Sequence, residues 1–387
     1  MSLAAGAFLV FVAALPWSIA AMSIGLGLCG VATALAWTLD RGTWRAPGPL
    51  LWPALAWLAA LAIAAFWAED RAASLPRIAK GALAGIVWMA AYHARERRAA
   101  ERALAVLLGS AAVVGLLGLA VWIGKGAAFP VRARGAAGHY MTFAGQLLLW
   151  VSLASGLALS TRGRWRWGAA AATAIGVVAL AATFTRSAWI GLFVSWAALL
   201  ALTRPRRLAA LGLVAALAIA IAPGVYRARL YSAFDPAHAT NVERTHMWHA
   251  GLRMFRDHPL TGVGLEDLHP IYERYKPAAA REPAGHLHNV FIQIAATMGV
   301  IGLAAFLWLY GSLFRLAGPI RSLRLGGLAA GVRLGVTGAL AGFLVAGLFE
   351  WNFGDEELLD LLFTLVGIAW ATHGWPGPDA RAGEKRV

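Results

Sequence analysis

Long apolar stretches alternate with short polar ones along most of this chain, on a length scale set by lipid rather than by a water-soluble core. Hydrocarbon offers no water to backbone N–H and C=O groups, so an apolar run of about 20 residues must be a helix that satisfies those groups internally. Twelve such runs are legible, at 3–20, 21–39, 49–67, 76–93, 103–124, 140–160, 168–185, 187–203, 207–224, 288–312, 327–348 and 357–373. They predict an all-α polytopic membrane protein with about 12 transmembrane helices. The first run has the length of a signal peptide, but no basic region precedes its apolar part and no convincing cleavage site follows it, so it reads as a membrane helix. One polar interruption is far longer than the others, between the ninth and tenth runs. The expected organisation is therefore helices 1–9 over 1–224, a partly helical loop over 225–287, helices 10–12 over 288–373 and a tail over 374–387.

Composition agrees with the pattern. The chain is 60% hydrophobic and 14% charged with a mean hydropathy of +0.64, which excludes an ordinary soluble domain. Lys and Arg concentrate in alternate short loops, at 40–45, 93–98, 161–166, 203–207 and 315–324. The positive-inside bias makes that side cytoplasmic, together with both termini. The loops 68–75, 124–139, 225–287 and 350–356 then face outward. The same bias accounts for the net charge of +15 and the pI near 11 without a nucleic-acid partner. Cys29 is the single cysteine, so neither an intramolecular disulfide nor a cysteine metal site can form. The eighteen tryptophans suit interfacial anchoring and helix packing.

Candidate chemistry collects in the long loop, because seven of the ten histidines lie within Val225–His288. Asn241 to Phe255 has helical spacing, with Met247, Trp248, Ala250, Gly251, Met254 and Phe255 as an apolar stripe, and His258-Pro259-Leu260-Thr261-Gly262-Val263-Gly264 ends that helix. His246 and His249 share a helical face, but no third ligand is adjacent in sequence, and the pair reads as an ordinary surface feature. His286 and His288 directly precede an apolar run. A histidine there can take a proton from a hydroxyl, or can be an interfacial residue bonded to backbone. His288 is favoured because Asn289 and the helix start beside it. Arg186, in Thr185-Arg186-Ser187, interrupts two apolar runs at their outward end, and its planar fork suits phosphate. Arg132 and Arg134 read as a solvated loop face and Arg333 as a snorkelling side chain. Glu350, Asp355, Glu356 and Glu357 place four carboxylates at the outer face, able to orient arginines, to help hold an acceptor or simply to balance charge.

Taken in order, three local motifs resemble the O-antigen ligase family, within the wider group that includes O-antigen polymerases. They are Phe184-Thr185-Arg186-Ser187-Ala188-Trp189, then Glu243-Arg244-Thr245-His246-Met247-Trp248 through Gly264, and His286-Leu287-His288-Asn289 leading into Met298-Gly299-Val300-Ile301-Gly302. Leu348-Phe349-Glu350-Trp351-Asn352-Phe353 also fits the resemblance. It implies a bacterial inner-membrane glycosyltransferase that moves polysaccharide from an undecaprenyl diphosphate-linked donor to lipid A–core at the periplasmic face, without nucleotide, metal or other cofactor. By the same resemblance Arg186 and Arg244 would bind the diphosphate and His288 would be the general base of an inverting displacement, with His286, Asn289 and Glu350 as possible assistants. An O-antigen polymerase and a protein O-oligosaccharyltransferase use related chemistry, and a polytopic transporter is the competing reading of a different class. The transporter is disfavoured because the polar residues cluster at one face and the chain shows no matching halves.

Overall fold

The computed structural model describes residues 3–39, 48–318 and 327–375. The expected basic loop at 40–45, most of 315–324 and nearly all of the 374–387 tail lie outside the described residues. Among the described residues every regular element is helical. In chain order the α-helices are α1 (Leu3–Ala14), α2 (Ile19–Leu39), α3 (Leu51–Trp67), α4 (Arg71–Ser74), α5 (Ile86–His93), α6 (Arg97–Gly124), α7 (Tyr140–Ser160), α8 (Gly163–Ala182) and α9 (Arg186–Thr203). They continue with α10 (Leu208–Ile221), α11 (Gly224–Tyr231), α12 (Ala239–Asp257), α13 (Leu268–Tyr275), α14 (Val290–Ala317), α15 (Gly327–Ala346) and α16 (Glu356–Ala371).

Eight of these segments are long and apolar enough to cross a membrane by length and composition: α2, α3 with the turn before it, α6, α7, α8, α9, α14 and α15. The other four predicted runs are shorter than a full span. Three are the single helices α1, α10 and α16. The run expected over 76–93 is not one helix: it is a 3-10 stretch, Leu75–Gly85, followed by the eight-residue α5. Pro76 supplies no N–H there, and Gly81 and Gly85 weaken an α-helix, so the tighter turn prevails.

α7 is the centre of the bundle and is buried over most of its length. α15 approaches it at backbone contact distance because glycines face each other. A Cβ on Gly156 would strike the Gly335 and Gly331 backbone, and one on Gly191 of α9 would meet the Gly342 carbonyl. Small residues at such crossings are how helices gain packing where lipid gives no hydrophobic drive. Two ionisable residues inside the bundle were not anticipated. Asp360 in α16 is 1% exposed, and His93 is buried with Nε2 2.8 Å from Thr33 Oγ1, so the polar residues are not confined to one face.

The loops expected outward meet each other. Ser74 Oγ donates to Glu266 Oε2 at 2.6 Å, Arg274 pairs with Glu69 at 2.8 Å, and Thr142 donates to Asp355 at 3.2 Å. At the other end of the bundle Trp375 donates to the Ala94 carbonyl and Arg333 to Thr372 Oγ1. The 225–287 segment has its own small core, in which Met247, Ala250 and Met254 of α12 pack with Leu268, Ile271 and Tyr272 of α13 and with Leu287 and Ala296. Of the predicted α12 stripe, Met247, Ala250, Gly251 and Met254 are buried, while Trp248 and Phe255 are half-buried.

Two motifs that are separate in sequence lock this segment to the bundle. α14 is broken at Gly299, which has φ 64° and ψ −162°. The break frees backbone groups, and the turn after α12 takes them up. Val263 and Gly264 N–H donate to the Ala296 and Thr297 carbonyls at 2.9 and 3.1 Å, and Val300 N–H donates to the Pro259 carbonyl at 2.8 Å. Non-helical backbone at such depth is tolerated only when its polar groups are paired in this way. Glycine is required on both sides: Gly262 also has positive φ, and a Cβ on either residue would collide with the other strand of the clamp.

Candidate active site

His288 stands in the left-handed region, φ 47°, one residue ahead of the cap of α14. A non-glycine residue held there costs on the order of 1 kcal/mol and persists only where its neighbours fix it. Here they do. Leu287 N–H donates to Gln293 Oε1 at 2.7 Å, Asn289 Oδ1 accepts from Phe291 and Ile292 N–H at 3.0 Å, and Val290 N–H donates to the Gly347 carbonyl at 2.7 Å. Asn289 Nδ2 also donates to the Leu348 carbonyl, so the whole side chain is engaged in holding the start of α14 to the end of α15.

That attachment delivers Glu350. His288 Nδ1 lies 2.9 Å from Glu350 Oε1, His286 Nε2 is 3.4 Å from the same oxygen, and Trp351 N–H donates to it at 3.0 Å. Arg244 approaches Oε2 at 3.7 Å. Burial alone would push the Glu350 carboxyl up. The hydrogen bonds and charge of His286 and His288 outweigh burial and hold it well below the usual carboxylate range. A carboxylate only accepts, so Nδ1 of His288 is the donor in this pair and Nε2 is turned away from Glu350. The side chain of His288 is 21% exposed and that of His286 40%, which makes His288 the more tightly held of the two.

Two cavities adjoin here. The first, about 560 Å³, is lined by His286, His288, Glu350, Glu243, Asp355 and His139 among others. The second, about 340 Å³, is lined by Arg132, Arg186, Arg229 and Arg244 with Thr185 and His238. Tyr140, Met141, Thr240 and Arg244 line both, so Arg244 stands in the dividing wall. Among the described residues no carboxylate lines the second cavity, and none is ion-paired to Arg132, Arg186 or Arg229.

Arg186 is 6% exposed and donates to Ser232 Oγ at 2.9 Å and Asn241 Oδ1 at 3.1 Å, joining the start of α9 to α12. Phe184, two residues before it, also has positive φ, and its carbonyl accepts from Arg229 Nε at 3.3 Å. Arg132 lies over the Tyr140 ring at 4.1 Å, and Arg229 over Phe129 at 5.6 Å. Burial lowers the pKa of Arg229, and Arg132 beside it lowers it further. Burial likewise lowers that of Arg244, with Glu350 opposing. Several guanidinium groups gathered around a cavity that no carboxylate lines among the described residues are able to hold a multiply charged anion.

Residues 171–307 match the O-antigen ligase family. The match covers about a third of the chain and supports a likeness to the O-antigen ligase and polymerase superfamily. No curated protein matches it. The matched segment contains Arg186, Arg229, Arg244, His286 and His288, and stops short of Glu350 and Asp355. The match and the eight helices long and apolar enough to cross a membrane support a function of the O-antigen ligase or polymerase type in a multi-pass membrane protein.

Of the residues singled out in sequence, Arg186 and Arg244 line the second cavity, Arg244, His286, His288 and Glu350 line the first, and Asn289 caps α14. Arg132 is a correction: it lines the arginine cavity instead of a solvated loop face, whereas Arg134 is exposed. Arg229 was missed, since α11 reads in sequence as one more basic turn; its spacing of two from Arg227 gives no sign of which faces inward. His246 sits 3.7 Å from Glu243. Among the described residues the one set of three His, Asp or Glu ligand atoms close enough to share an ion is His286, His288 and Glu350, within 4.8 Å.

Proposed function

We propose that this chain transfers O-antigen polysaccharide from undecaprenyl diphosphate to lipid A–core at the periplasmic face of the inner membrane, with neither nucleotide nor metal. The observation that carries the reading is the adjacency of the two cavities. An arginine-lined space free of carboxylates suits the donor diphosphate, and across a shared wall stands a histidine paired with a buried carboxylate, which suits a hydroxyl acceptor.

In this reading Arg186 and Arg244 bind the diphosphate. The acceptor hydroxyl loses its proton to His288 Nε2 as its oxygen bonds the anomeric carbon. The bond from that carbon to the phosphate oxygen breaks, and the electron pair leaves on the diphosphate, where the arginines meet the growing charge. Glu350 holds the ring orientation and stabilises the imidazolium, which then returns its proton to water. One displacement inverts the anomeric configuration. The role of Arg244 in the wall is to be within reach of both halves of the reaction, since it faces the diphosphate side and Glu350 alike.

The test is reconstitution in liposomes with undecaprenyl diphosphate-linked glycan and, separately, rough lipopolysaccharide, a second lipid-linked repeat unit or a serine-rich acceptor protein, all in chelator. Transfer to rough lipopolysaccharide alone supports the reading. Extension of the lipid-linked unit instead identifies a polymerase, and strict dependence on added divalent metal replaces the arginine-only countercharge with an ion on His286, His288 and Glu350.

A further inference from the structure

Asp355 sits immediately before α16, the position where an aspartate ordinarily accepts a hydrogen bond from the helix's first free N–H groups. It makes no such bond. Its Oδ2 accepts from Thr142 Oγ1 at 3.2 Å, and among the described residues no other hydrogen bond and no ion pair reaches the carboxylate. Asp355 instead lines the cavity that contains His288.

The other acidic side chains of that cavity differ. Glu350 is taken up by His288 and Trp351, and Glu243 accepts from the backbone N–H groups of Arg281 and Glu282 at 3.3 Å. Glu282 is exposed at the rim. Among the described residues Asp355 keeps an oxygen that neither a hydrogen bond nor an ion pair reaches, whereas the second oxygen of Glu350, also without a hydrogen bond, faces Arg244 at 3.7 Å; and Asp355 does so in a place where a local rule of helix capping has been given up. Departures of that kind collect at functional sites.

We infer that Asp355 is an acceptor-binding residue, which accepts a hydrogen bond from a second hydroxyl of the acceptor sugar next to the hydroxyl that His288 deprotonates. The inference rests on the transferase reading above and adds the chemical class of the acceptor face: an uncharged sugar edge carrying neighbouring hydroxyls. A phosphate or carboxylate substituent on that edge would face Asp355 and be repelled. Two-point holding of the sugar, by His288 on one oxygen and Asp355 on the next, fixes the attacking oxygen for in-line displacement.

The experiment measures donor and acceptor KM separately with undecaprenyl diphosphate-linked glycan and rough lipopolysaccharide, and measures farnesyl diphosphate binding as an independent check of the donor side. Asp355→Ala raises acceptor KM about tenfold, the loss expected for one hydrogen bond to a charged group. Donor KM and farnesyl diphosphate binding stay as in the unmodified protein. Asp355→Asn, which keeps an accepting oxygen, recovers much of the loss, and Thr142→Val leaves acceptor KM within about twofold. Asp355→Ser can cap α16 in place of the aspartate and keeps the test valid if the alanine variant loses its fold. An unchanged acceptor KM in Asp355→Ala or Asp355→Ser, or donor and acceptor KM rising together, overturns the inference while transfer itself persists. Failure of the unmodified protein to transfer glycan to any acceptor removes the transferase reading and the inference together.

Discussion

The two cavities share a wall and almost nothing else in their electrostatics. One gathers Arg132, Arg186, Arg229 and Arg244 with no lining carboxylate, and the other joins His139, His286 and His288 to Glu243, Glu350 and Asp355. The first is a concentration of positive charge. In the second, His288 and His286 pair with Glu350, and Glu350 faces Arg244. Under the proposed function the contrast is a division of labour, in which one side would bind a ready-made leaving group and the other would create a nucleophile.

Each prediction breaks that contrast at one point. His288→Ala leaves farnesyl diphosphate binding intact and lowers kcat about 10²- to 10⁴-fold, the usual worth of a positioned general base. Stopped-time assays of glycan transfer at saturating donor read it. Glu350→Gln frees the His288 ring to adopt either tautomer and removes the charge behind it, so kcat falls about ten- to a hundredfold, again with donor binding unchanged. Arg229→Gln acts on the other side. Farnesyl diphosphate binding weakens about tenfold in titration calorimetry, while kcat at saturating donor stays within about twofold.

The smallest expected effect concerns stability. Burial first, and then Glu357 and Glu350, push the Asp355 carboxyl up from 3.8 to about 6. The folded protein thus holds this proton more tightly than the unfolded chain does, so the associated stability is fully present below about pH 4 and is lost as pH rises through about 6. Asp355→Asn should flatten that decline and raise Tm at pH 7 by about 1–3 °C in detergent. An unaltered Tm profile across that window would remove the proton-holding surroundings assigned to Asp355.

Much of the fold could be read from sequence because lipid imposes one rule on every span. The eight long apolar helices follow from run length alone, and the stretch at 75–93 escaped because Pro76, Gly81 and Gly85 alter backbone geometry without altering hydropathy. The motifs around Arg186, Arg244 and His288 were legible as unusual residues at helix starts. Their partners were less so. Glu350 is 62 residues from His288, and the attachments of Val290 to Gly347 and of Asn289 to Leu348 bring them together. The clamp between Pro259–Gly264 and the break at Gly299 was visible as two glycine-containing motifs, but nothing in either names the other. Arg229 and Arg132 lie among many arginines, and charge counting cannot tell an inward guanidinium from a solvated one.

The central claim is that donor binding and base catalysis reside in separate compartments, and calorimetric titration of farnesyl diphosphate into purified Arg186→Gln and His288→Ala tests it most directly. The account predicts binding weakened at least about tenfold in Arg186→Gln and unchanged in His288→Ala. Equal losses in the two variants, or full-strength binding in Arg186→Gln, would contradict it.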